Sequence, residues 1–178
     1  MKPLLTESEV LSGVARLAAE ITSSYRGRPL TMIGVMTGSV AFLADLMRRV
    51  DLPLRVGVIQ ARSYRGGDTR PGELAIHSEL VPEVQDRDVL LVDDIFDTGR
   101  TLTALVQRIS ELGARSVRSC VLLSKPARVE VTYRPEFVGF EIPDRFVVGY
   151  GMDYLDAYRN LPHVAELEDA DLHRDQRP

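Results

Sequence analysis

Residues 89–102 read VLLVDDIFDTGRTL, and this stretch decides both the fold class and the chemistry that the chain can support. The apolar run 89–92 predicts a buried strand, and the apolar spacing over 101–112 predicts the helix that follows it. Three aspartates, Asp93, Asp94 and Asp97, lie between the two elements, together with a Thr-Gly-Arg-Thr turn. A strand that passes through a glycine turn into a helix is the building unit of an α/β fold with a parallel sheet.

The same alternation extends along the chain on both sides of this stretch. Further strands are predicted at 30–36, 54–61, 74–81 and 116–123, and a helix at 40–50. Another helix is predicted between the capping-box pattern TESE at 6–9 and RGRP at 26–29, while the polar residues 62–72 predict a mobile loop. We expect a mostly parallel sheet with helices on both faces. Ligands of such sheets bind at the carboxyl ends of the strands, where the turns at 37–39 and 93–101 lie.

Composition limits the function classes. With 178 residues the chain suits a single domain, and its net charge of −4 disfavours a nucleic-acid-binding face. No apolar run predicts a membrane span or a signal peptide. The single cysteine, Cys120, cannot form an internal disulfide, so a cytoplasmic location is expected. The three histidines are scattered, and any metal is therefore expected to be Mg²⁺ held by carboxylates and substrate oxygens.

The turn after the central strand has the features of a phosphate site. Backbone N–H groups at a helix start bind anions, Thr98 and Thr101 add hydroxyl donors, and Arg100 adds charge. Acids in the same place would repel phosphate unless they face another part of the ligand, such as sugar hydroxyls or Mg²⁺. These residue types therefore predict a ligand with a phosphate, vicinal hydroxyls and a metal-bound group, as in a phosphorylated ribose.

A simpler interpretation assigns the acids no ligand. In it, Asp97 caps the following helix, and Asp93 and Asp94 form a solvated strand end. The two extra acids between an apolar strand and an apolar helix favour a site over this alternative. The stretch lacks the GxxxxGK[ST] pattern of a P-loop, which disfavours an NTPase.

The whole stretch resembles the phosphoribosyl-pyrophosphate (PRPP) motif of type I phosphoribosyltransferases. Three further segments resemble the hypoxanthine-guanine members of that family: MTGSVAFLADLMRRV at 36–50, ARSYRGG at 61–67, and residues 122–164 with FVVGYGMDY. The resemblance covers about residues 5–167. It implies one phosphoribosyltransferase domain over 1–178, with a mostly parallel sheet flanked by helices in a core of about 30–124. A small hood is implied at about 1–12 and 125–167, followed by a frayed tail at 168–178.

The resemblance implies a purine salvage enzyme that transfers the 5-phosphoribosyl group from PRPP to N9 of hypoxanthine, and of guanine, with Mg²⁺. Asp97 matches the general base at purine N7 and is the implied catalytic residue. Asp93 and Asp94 match the acidic pair near the ribose hydroxyls and the metal. Backbone N–H groups are expected to provide most of the contact to the 5′-phosphate. The residues that match this phosphate cradle are Thr98, Gly99, Arg100 and Thr101.

The same resemblance assigns the purine pocket. Lys125 matches the donor to purine O6, which favours a 6-oxopurine over adenine because an ammonium group only donates. Phe146 matches the aromatic residue that stacks on the base, and Val147 offers backbone groups to the base edge. Asp153 matches a further metal ligand, and Arg159 matches a pyrophosphate-binding residue.

Two loops complete the implied site. Ser63 and Tyr64 match the Ser-Tyr pair of a flexible loop that closes over the reaction centre. In the first substrate loop, Thr37 and Gly38 occupy positions where relatives usually carry Lys-Gly. If that lysine helps to hold the pyrophosphate or a subunit contact, this chain uses backbone amides instead or makes the contact less well. The family often has a cis non-proline peptide in this loop, for which Met36–Thr37 is the candidate. A homodimer or homotetramer is implied, with this loop and the following helix near an interface.

Two other functions stay open at this point. A regulator with the same fold would bind nucleotides or RNA without catalysis, but a pI near 5.4 gives no basic face for it. A sibling enzyme would use xanthine or adenine. Lys125 and Phe146 disfavour adenine, whereas xanthine differs from guanine only at the 2-position. Neither a nucleic acid nor a membrane is an expected partner.

Overall fold

The computed structural model describes residues 1–63, 74–168 and 171. The predicted alternation of strands and helices is confirmed in its centre. In chain order the elements are β1 (Lys2–Leu5), α1 (Glu7–Tyr25), β2 (Leu30–Met36), α2 (Val40–Met47), β3 (Leu54–Ser63), β4 (Leu74–His77), β5 (Asp88–Phe96), α3 (Arg100–Glu111), β6 (Ser116–Ser124), a 3₁₀ turn (Pro126–Arg128), β7 (Phe137–Glu141), β8 (Val147–Val148) and β9 (Val164–Glu166).

A six-stranded sheet in the order β4-β3-β2-β5-β6-β7 lies at the centre. The strands from β3 to β7 in this order pair in parallel, and β4 joins β3 antiparallel at the edge. Leu30 of β2 lies opposite both Leu54 of β3 and Asp88 of β5, so the three strands start in register. The predicted mostly parallel sheet is therefore confirmed, and its carboxyl ends meet at one edge.

Alternate residues of β5 face two separate layers of the core. Leu90 and Val92 belong to the layer that contains α1 and α2, while Val89 and Leu91 belong to the layer that contains α3. Successive side chains of a strand point to opposite faces, so a strand covered on both sides is apolar throughout. This packing explains the uninterrupted run of apolar residues at 89–92.

The length of β5 differs from the sequence prediction. The strand continues to Phe96 instead of ending at residue 92, because Asp93, Ile95 and Phe96 pair with β6. Asp93 and Asp94 consequently lie inside the strand. The local pattern could not predict this extension, since aspartate is uncommon in strands and only the neighbouring strand explains it.

Two other elements are shorter than predicted. β4 ends at His77 rather than at residue 81, because the chain turns there and the Val81 N–H donates to the Ser78 carbonyl at 3.0 Å. α2 ends at Met47 rather than at residue 50, in a turn where the Arg49 N–H donates to the Leu46 carbonyl. Within the described residues no helix is long and apolar enough to cross a membrane.

A second sheet brings the two ends of the described chain together. It is antiparallel with the order β1-β9-β8, and Glu166 of β9 lies between Lys2 of β1 and Val147 of β8. Its three strands come from the ranges that the resemblance assigned to the hood. The expected boundary at residue 124 does not hold for β7, which pairs in parallel with β6 in the large sheet. The reason is burial, because Phe137 and Phe140 pack in the layer beneath α1.

We predict that Leu91→Ala destabilises the protein by about 2–5 kcal/mol, because it removes a fully buried side chain from the central strand and leaves a cavity. Urea denaturation followed by circular dichroism measures the loss. Leu80→Ala is the matched control, because Leu80 is 72% exposed. Equal effects of the two substitutions would contradict the layer arrangement described above.

Candidate active site

The carboxyl ends of β2 and β5 open onto a cavity of about 370 Å³. Parallel strands that start in register bring their carboxyl ends, and the turns that follow them, to one place. This geometry explains why residues far apart in the sequence meet here. The site residues predicted from the sequence that line this cavity are Gly38, Asp93, Asp94, Asp97, Thr98, Gly99 and Thr101.

The turn between β5 and α3 depends on Gly99. Its φ of 83° is left-handed, a conformation that glycine adopts without strain. A Cβ at this position would lie 2.5 Å from Val131 Cγ2 and 2.7 Å from the Phe96 ring. α3 starts directly after this turn, and the N–H groups of a first helical turn lack partners within the helix. The turn therefore has the backbone geometry of an anion site.

The Arg100 side chain is not part of this cavity. It is 76% exposed and its Nη2 lies 2.6 Å from Glu130 Oε2. Only its backbone N–H lies in the turn, because the guanidinium pairs with a carboxylate that local sequence does not reveal. A side-chain contact of Arg100 with phosphate stays a prediction.

Asp93 and Asp94 are held in the strand by their backbone. The Asp94 N–H donates to Asp93 Oδ1 at 3.0 Å, and the Ile95 N–H donates to Asp94 Oδ1 at 2.7 Å. Burial raises the pKa of Asp93 well above its ordinary value, and the neighbouring Asp94 charge adds to this effect. Burial also raises the pKa of Asp94, while hydrogen bonds with Asp93 and the Ile95 N–H, and to a smaller extent the Arg159 guanidinium, partly offset the increase. Hydroxyl donors or a cation in the cavity would offset the cost of holding these two acids out of water.

These observations contradict the simpler interpretation of the acids. Asp93 is only 8% exposed, so it is not a solvated strand end. Asp97 does not cap α3, because Gly99 occupies the N-cap position and Asp97 Oδ1 accepts from Arg128 Nε instead. Acids that are buried beside a cavity, at a cost in desolvation, are more consistent with a ligand site than with a structural role.

The first substrate loop approaches the acidic pair through its backbone. A Cβ on Gly38 would lie 1.8 Å from Asp94 Oδ2, so a glycine is required here. The Met36–Thr37 peptide bond is cis, as the resemblance suggested. Thr37 is exposed and is not among the residues that line the cavity. The loop therefore presents Gly38, and not the Thr37 side chain, to the cavity.

A second cavity of about 240 Å³ adjoins the first. All four residues predicted for the purine line it, namely Lys125, Phe146, Val147 and Asp153. Phe146 is 50% exposed and makes an edge contact with Tyr154 at 5.6 Å between ring centroids. An aromatic ring that is half exposed at a cavity wall is available for stacking.

The two cavities share one wall. Asp94, Ile95 and Asp97 line both of them. One cavity contains the turn suited to phosphate, and the other contains the residues suited to a planar base. A ligand that spans the wall would place its central part beside Asp97.

Arg128 and Asp144 are close to these residues, and sequence reasoning missed both. Arg128 Nε donates to Asp97 Oδ1 at 2.9 Å, and Asp144 lies 3.7 Å from Lys125 Nζ and 3.8 Å from Arg128 Nη1. The only available signal was the spacing of Lys125 and Arg128 in LSKPAR, because residues three apart align on a 3₁₀ turn.

Arg159 makes an ion pair and a hydrogen bond with residues of the segment just before it. Its Nη2 lies 2.7 Å from Asp153 Oδ1, and its Nη1 donates to the Gly151 carbonyl at 2.8 Å. The second oxygen of Asp153 accepts the Asp156 N–H at 2.9 Å. Arg159 itself is not among the residues lining the two cavities, so a contact with pyrophosphate requires it to exchange partners.

The acids are compatible with a metal ion that takes part of its ligands from the substrate. Among the residues that the structure describes, no three His, Cys, Asp or Glu side chains come close enough to hold an ion by themselves. Asp93 lines one cavity, Asp153 the other, and Asp94 both. Mg²⁺ typically binds one or two carboxylates together with substrate phosphates, and this donor set is compatible with that mode.

The predicted flexible loop falls mostly beyond the described residues. Ser63 is the last residue of β3, and its side chain is not described. Tyr64 lies outside the described residues, as does the rest of the Gly-rich segment 64–73.

Comparison with known proteins agrees with this arrangement. The family model of the phosphoribosyl transferase domain matches residues 2–155. The hypoxanthine-guanine phosphoribosyltransferase of Staphylococcus aureus is 38% identical over 165 residues, which cover 93% of this chain and 92% of that protein. The bifunctional protein TilS/HprT of Listeria innocua is 41% identical over 94% of this chain, and the chain spans only 26% of that protein.

Solved structures show the same relationship. A hypoxanthine phosphoribosyltransferase from S. aureus, 36% identical, superimposes with a TM-score of 0.89 over 96% of this chain and 92% of that chain. One from Trypanosoma cruzi, in a ternary substrates complex, is 32% identical and gives a TM-score of 0.89 over 96% and 97% of the two chains. The chain therefore belongs to the phosphoribosyltransferase family, and within it to the hypoxanthine-guanine phosphoribosyltransferases. The resemblance and the type I fold expected from the sequence are confirmed.

We predict that Asp93→Asn stabilises the metal-free protein at neutral pH. Burial raises the folded-state pKa of Asp93, so the folded protein loses stability as the pH rises from the unfolded-state pKa towards the folded-state one. The amide has no charge to bury. The variant should have the higher free energy of unfolding at pH 7, and the difference should shrink towards pH 4.

Thermal unfolding between pH 4 and 8 in a chelating buffer measures this difference. Asp86→Asn is the control, since Asp86 is exposed and lies away from both cavities. A difference that does not depend on pH, or a less stable Asp93→Asn protein at pH 7, would contradict the burial argument.

Proposed function

We propose that this chain transfers the 5-phosphoribosyl group from PRPP to N9 of hypoxanthine, and of guanine, releasing pyrophosphate and forming IMP or GMP. One observation carries the proposal: the phosphate-type cavity and the base-type cavity share the wall formed by Asp94, Ile95 and Asp97. A ribose that spans this wall has its phosphate at one end and its reacting carbon near the base. The reaction belongs to purine salvage.

The phosphoribosyl group would bind in the larger cavity. The backbone of residues 98–101 receives the 5′-phosphate, with the hydroxyls of Thr98 and Thr101 as additional donors. Asp93 and Asp94 receive the ribose hydroxyls, which donate to the carboxyl oxygens of this pair at the cavity wall. Arg159 would exchange Asp153 for the pyrophosphate, whose oxygens match a guanidinium fork.

The base would bind in the smaller cavity. Phe146 stacks on the ring, Val147 offers backbone groups to its edge, and Lys125 donates to O6. The ammonium group of Lys125 has no acceptor to offer, so the 6-amino group of adenine would face a donor and lose a hydrogen bond. This pocket therefore selects 6-oxopurines.

Asp97 is the proposed proton acceptor. As the N9–C1′ bond forms, the bond from C1′ to the pyrophosphate oxygen breaks, and its electron pair leaves with pyrophosphate. The ring becomes more acidic at N7, and the Asp97 carboxylate takes or shares that proton. Its position in the shared wall is what makes it available to a base whose N9 points towards the sugar.

We propose that Mg²⁺ would bind mainly to the substrate's own oxygens, with Asp93, Asp94 and Asp153 as the protein residues that hold it in place. When bound, the ion would neutralise charge on pyrophosphate. We also propose a homodimer or homotetramer in the cytoplasm. Val40 and Met47 support a subunit contact, because both are exposed apolar residues on the helix that follows the first loop.

The test is a steady-state assay with PRPP and Mg²⁺, in which hypoxanthine, guanine, xanthine and adenine are offered separately. We expect turnover with hypoxanthine, none with adenine, and pyrophosphate release in equal amount to nucleotide. Binding of PRPP without turnover of any base would contradict the proposal. The rates with guanine and xanthine then define base preference.

We predict that Asp97→Asn lowers the single-turnover rate of nucleotide formation by about 10²–10⁴-fold, because an amide cannot accept the N7 proton. The affinity for PRPP should change little, since the phosphate turn is untouched. Rapid-quench kinetics and isothermal titration calorimetry give the two quantities. Asp51→Asn, an exposed aspartate outside both cavities, is the control. Parallel loss of rate and PRPP affinity would instead make Asp97 a structural residue of the turn.

A further inference from the structure

Four charged residues of alternating sign form a chain beside the base cavity. Asp97 Oδ1 accepts from Arg128 Nε at 2.9 Å. Arg128 Nη1 lies 3.8 Å from Asp144 Oδ2, and Asp144 Oδ1 lies 3.7 Å from Lys125 Nζ. The two ends of this charge chain are therefore the proposed proton acceptor and the proposed O6 donor.

Local structure brings the members together. The Lys125 N–H donates to the Phe96 carbonyl at 2.9 Å, which ties the start of the 3₁₀ turn to the end of β5. The Arg128 N–H donates to the Lys125 carbonyl at 3.0 Å, and residues three apart lie on the same side of a 3₁₀ turn. Asp144 comes from the segment between β7 and β8, so it connects this turn to the strand that carries Val147.

The middle members do not contact the ligand space. Asp97 and Lys125 line the base cavity, whereas Arg128 and Asp144 are not among its lining residues. Their ion pairs are half exposed, with side chains 46% and 50% accessible, and such pairs contribute little to folding stability. Stability is thus a poor explanation for the arrangement, and action through Asp97 and Lys125 is a better one.

The chemistry of the base explains why such a chain is useful. O6 and N7 lie on the same edge of a 6-oxopurine, so one donor and one acceptor must stand side by side. An aspartate and a lysine in one small cavity would otherwise pair with each other and mask both groups. Arg128 and Asp144 give each of them a separate counter-ion. Within the described part of the chain, Asp97 Oδ2 has no hydrogen-bond partner and remains available to N7.

We propose that Arg128 and Asp144 are positioning residues of the transfer reaction. Arg128 orients the Asp97 carboxylate through one oxygen, and Asp144 holds Arg128 and Lys125 in a fixed relation. The inference rests on the proposed function, because it assigns Asp97 to N7 and Lys125 to O6.

The test is a double-mutant cycle between Arg128 and Asp97. Arg128→Ala should lower the single-turnover rate about 10- to 100-fold, as expected for a misplaced catalytic group, with PRPP affinity unchanged. In the Asp97→Asn background the same substitution should have no further effect, because Arg128 acts only through that carboxylate. Arg128→Lys should recover part of the rate by restoring the charge.

A second variant tests the other end of the chain. Asp144→Asn should raise the KM for hypoxanthine several-fold, since Lys125 loses its counter-ion and can turn to Asp97. For Arg128→Ala the matched control is Arg108→Ala, because Arg108 is an arginine of similar exposure that is paired with Glu111 away from the site. Thermal unfolding of each variant establishes that it is folded, and Arg128→Gln replaces Arg128→Ala where the alanine variant does not fold.

The outcomes separate this inference from the proposed function. A wild-type rate in Arg128→Ala, or the same fold-loss with and without Asp97→Asn, would overturn the positioning role while leaving the transferase intact. An inactive wild type in the same assay would instead overturn the proposed function. Loss of rate that depends on Asp97, with PRPP affinity kept, supports the inference.

Discussion

The site depends on the pairing of β5 with β6 beyond residue 92. Asp93 lies opposite Val121 and Phe96 lies opposite Ser124, so the strand continues through the acidic residues instead of releasing them to solvent. This pairing keeps Asp93 and Asp94 in the sheet, at the border between the buried core and the larger cavity. It also delivers Asp97 at the point where the chain leaves the sheet, in the wall between the two cavities.

Holding acids in this place has an energetic cost that a ligand explains. Burial and mutual repulsion raise the pKa of Asp93, so the folded protein is less stable whenever the pair must ionise. The backbone N–H groups of Asp94 and Ile95 recover part of this cost. A sugar with vicinal hydroxyls, and an ion that is bound chiefly by phosphate oxygens, would recover more. Under the proposed function, the ligand-free protein is therefore less stable because it holds the acids that recognise the ribose.

Features that depend on neighbouring residues were predictable from the sequence, and features that depend on distant ones were not. The apolar strand, the capping box of α1 and the Gly99 turn follow from local patterns, and the family resemblance supplied many of the residues that line the two cavities. Arg128 meets Asp97 across 31 positions, and Arg100 turns to Glu130 instead of the phosphate turn. Both outcomes are set by where β6 ends and the following 3₁₀ turn begins. No periodicity in the sequence encodes that position.

The most direct test of the account is a structure of the protein with IMP bound. The account predicts that the phosphate lies on the backbone of residues 98–101 and that the hypoxanthine ring stacks on Phe146, with O6 at Lys125. The glycosidic bond should pass beside Asp97. A nucleotide that occupies only one of the two cavities, or a base that lies away from Lys125 and Phe146, would contradict the claim that the shared wall separates the two halves of one ligand.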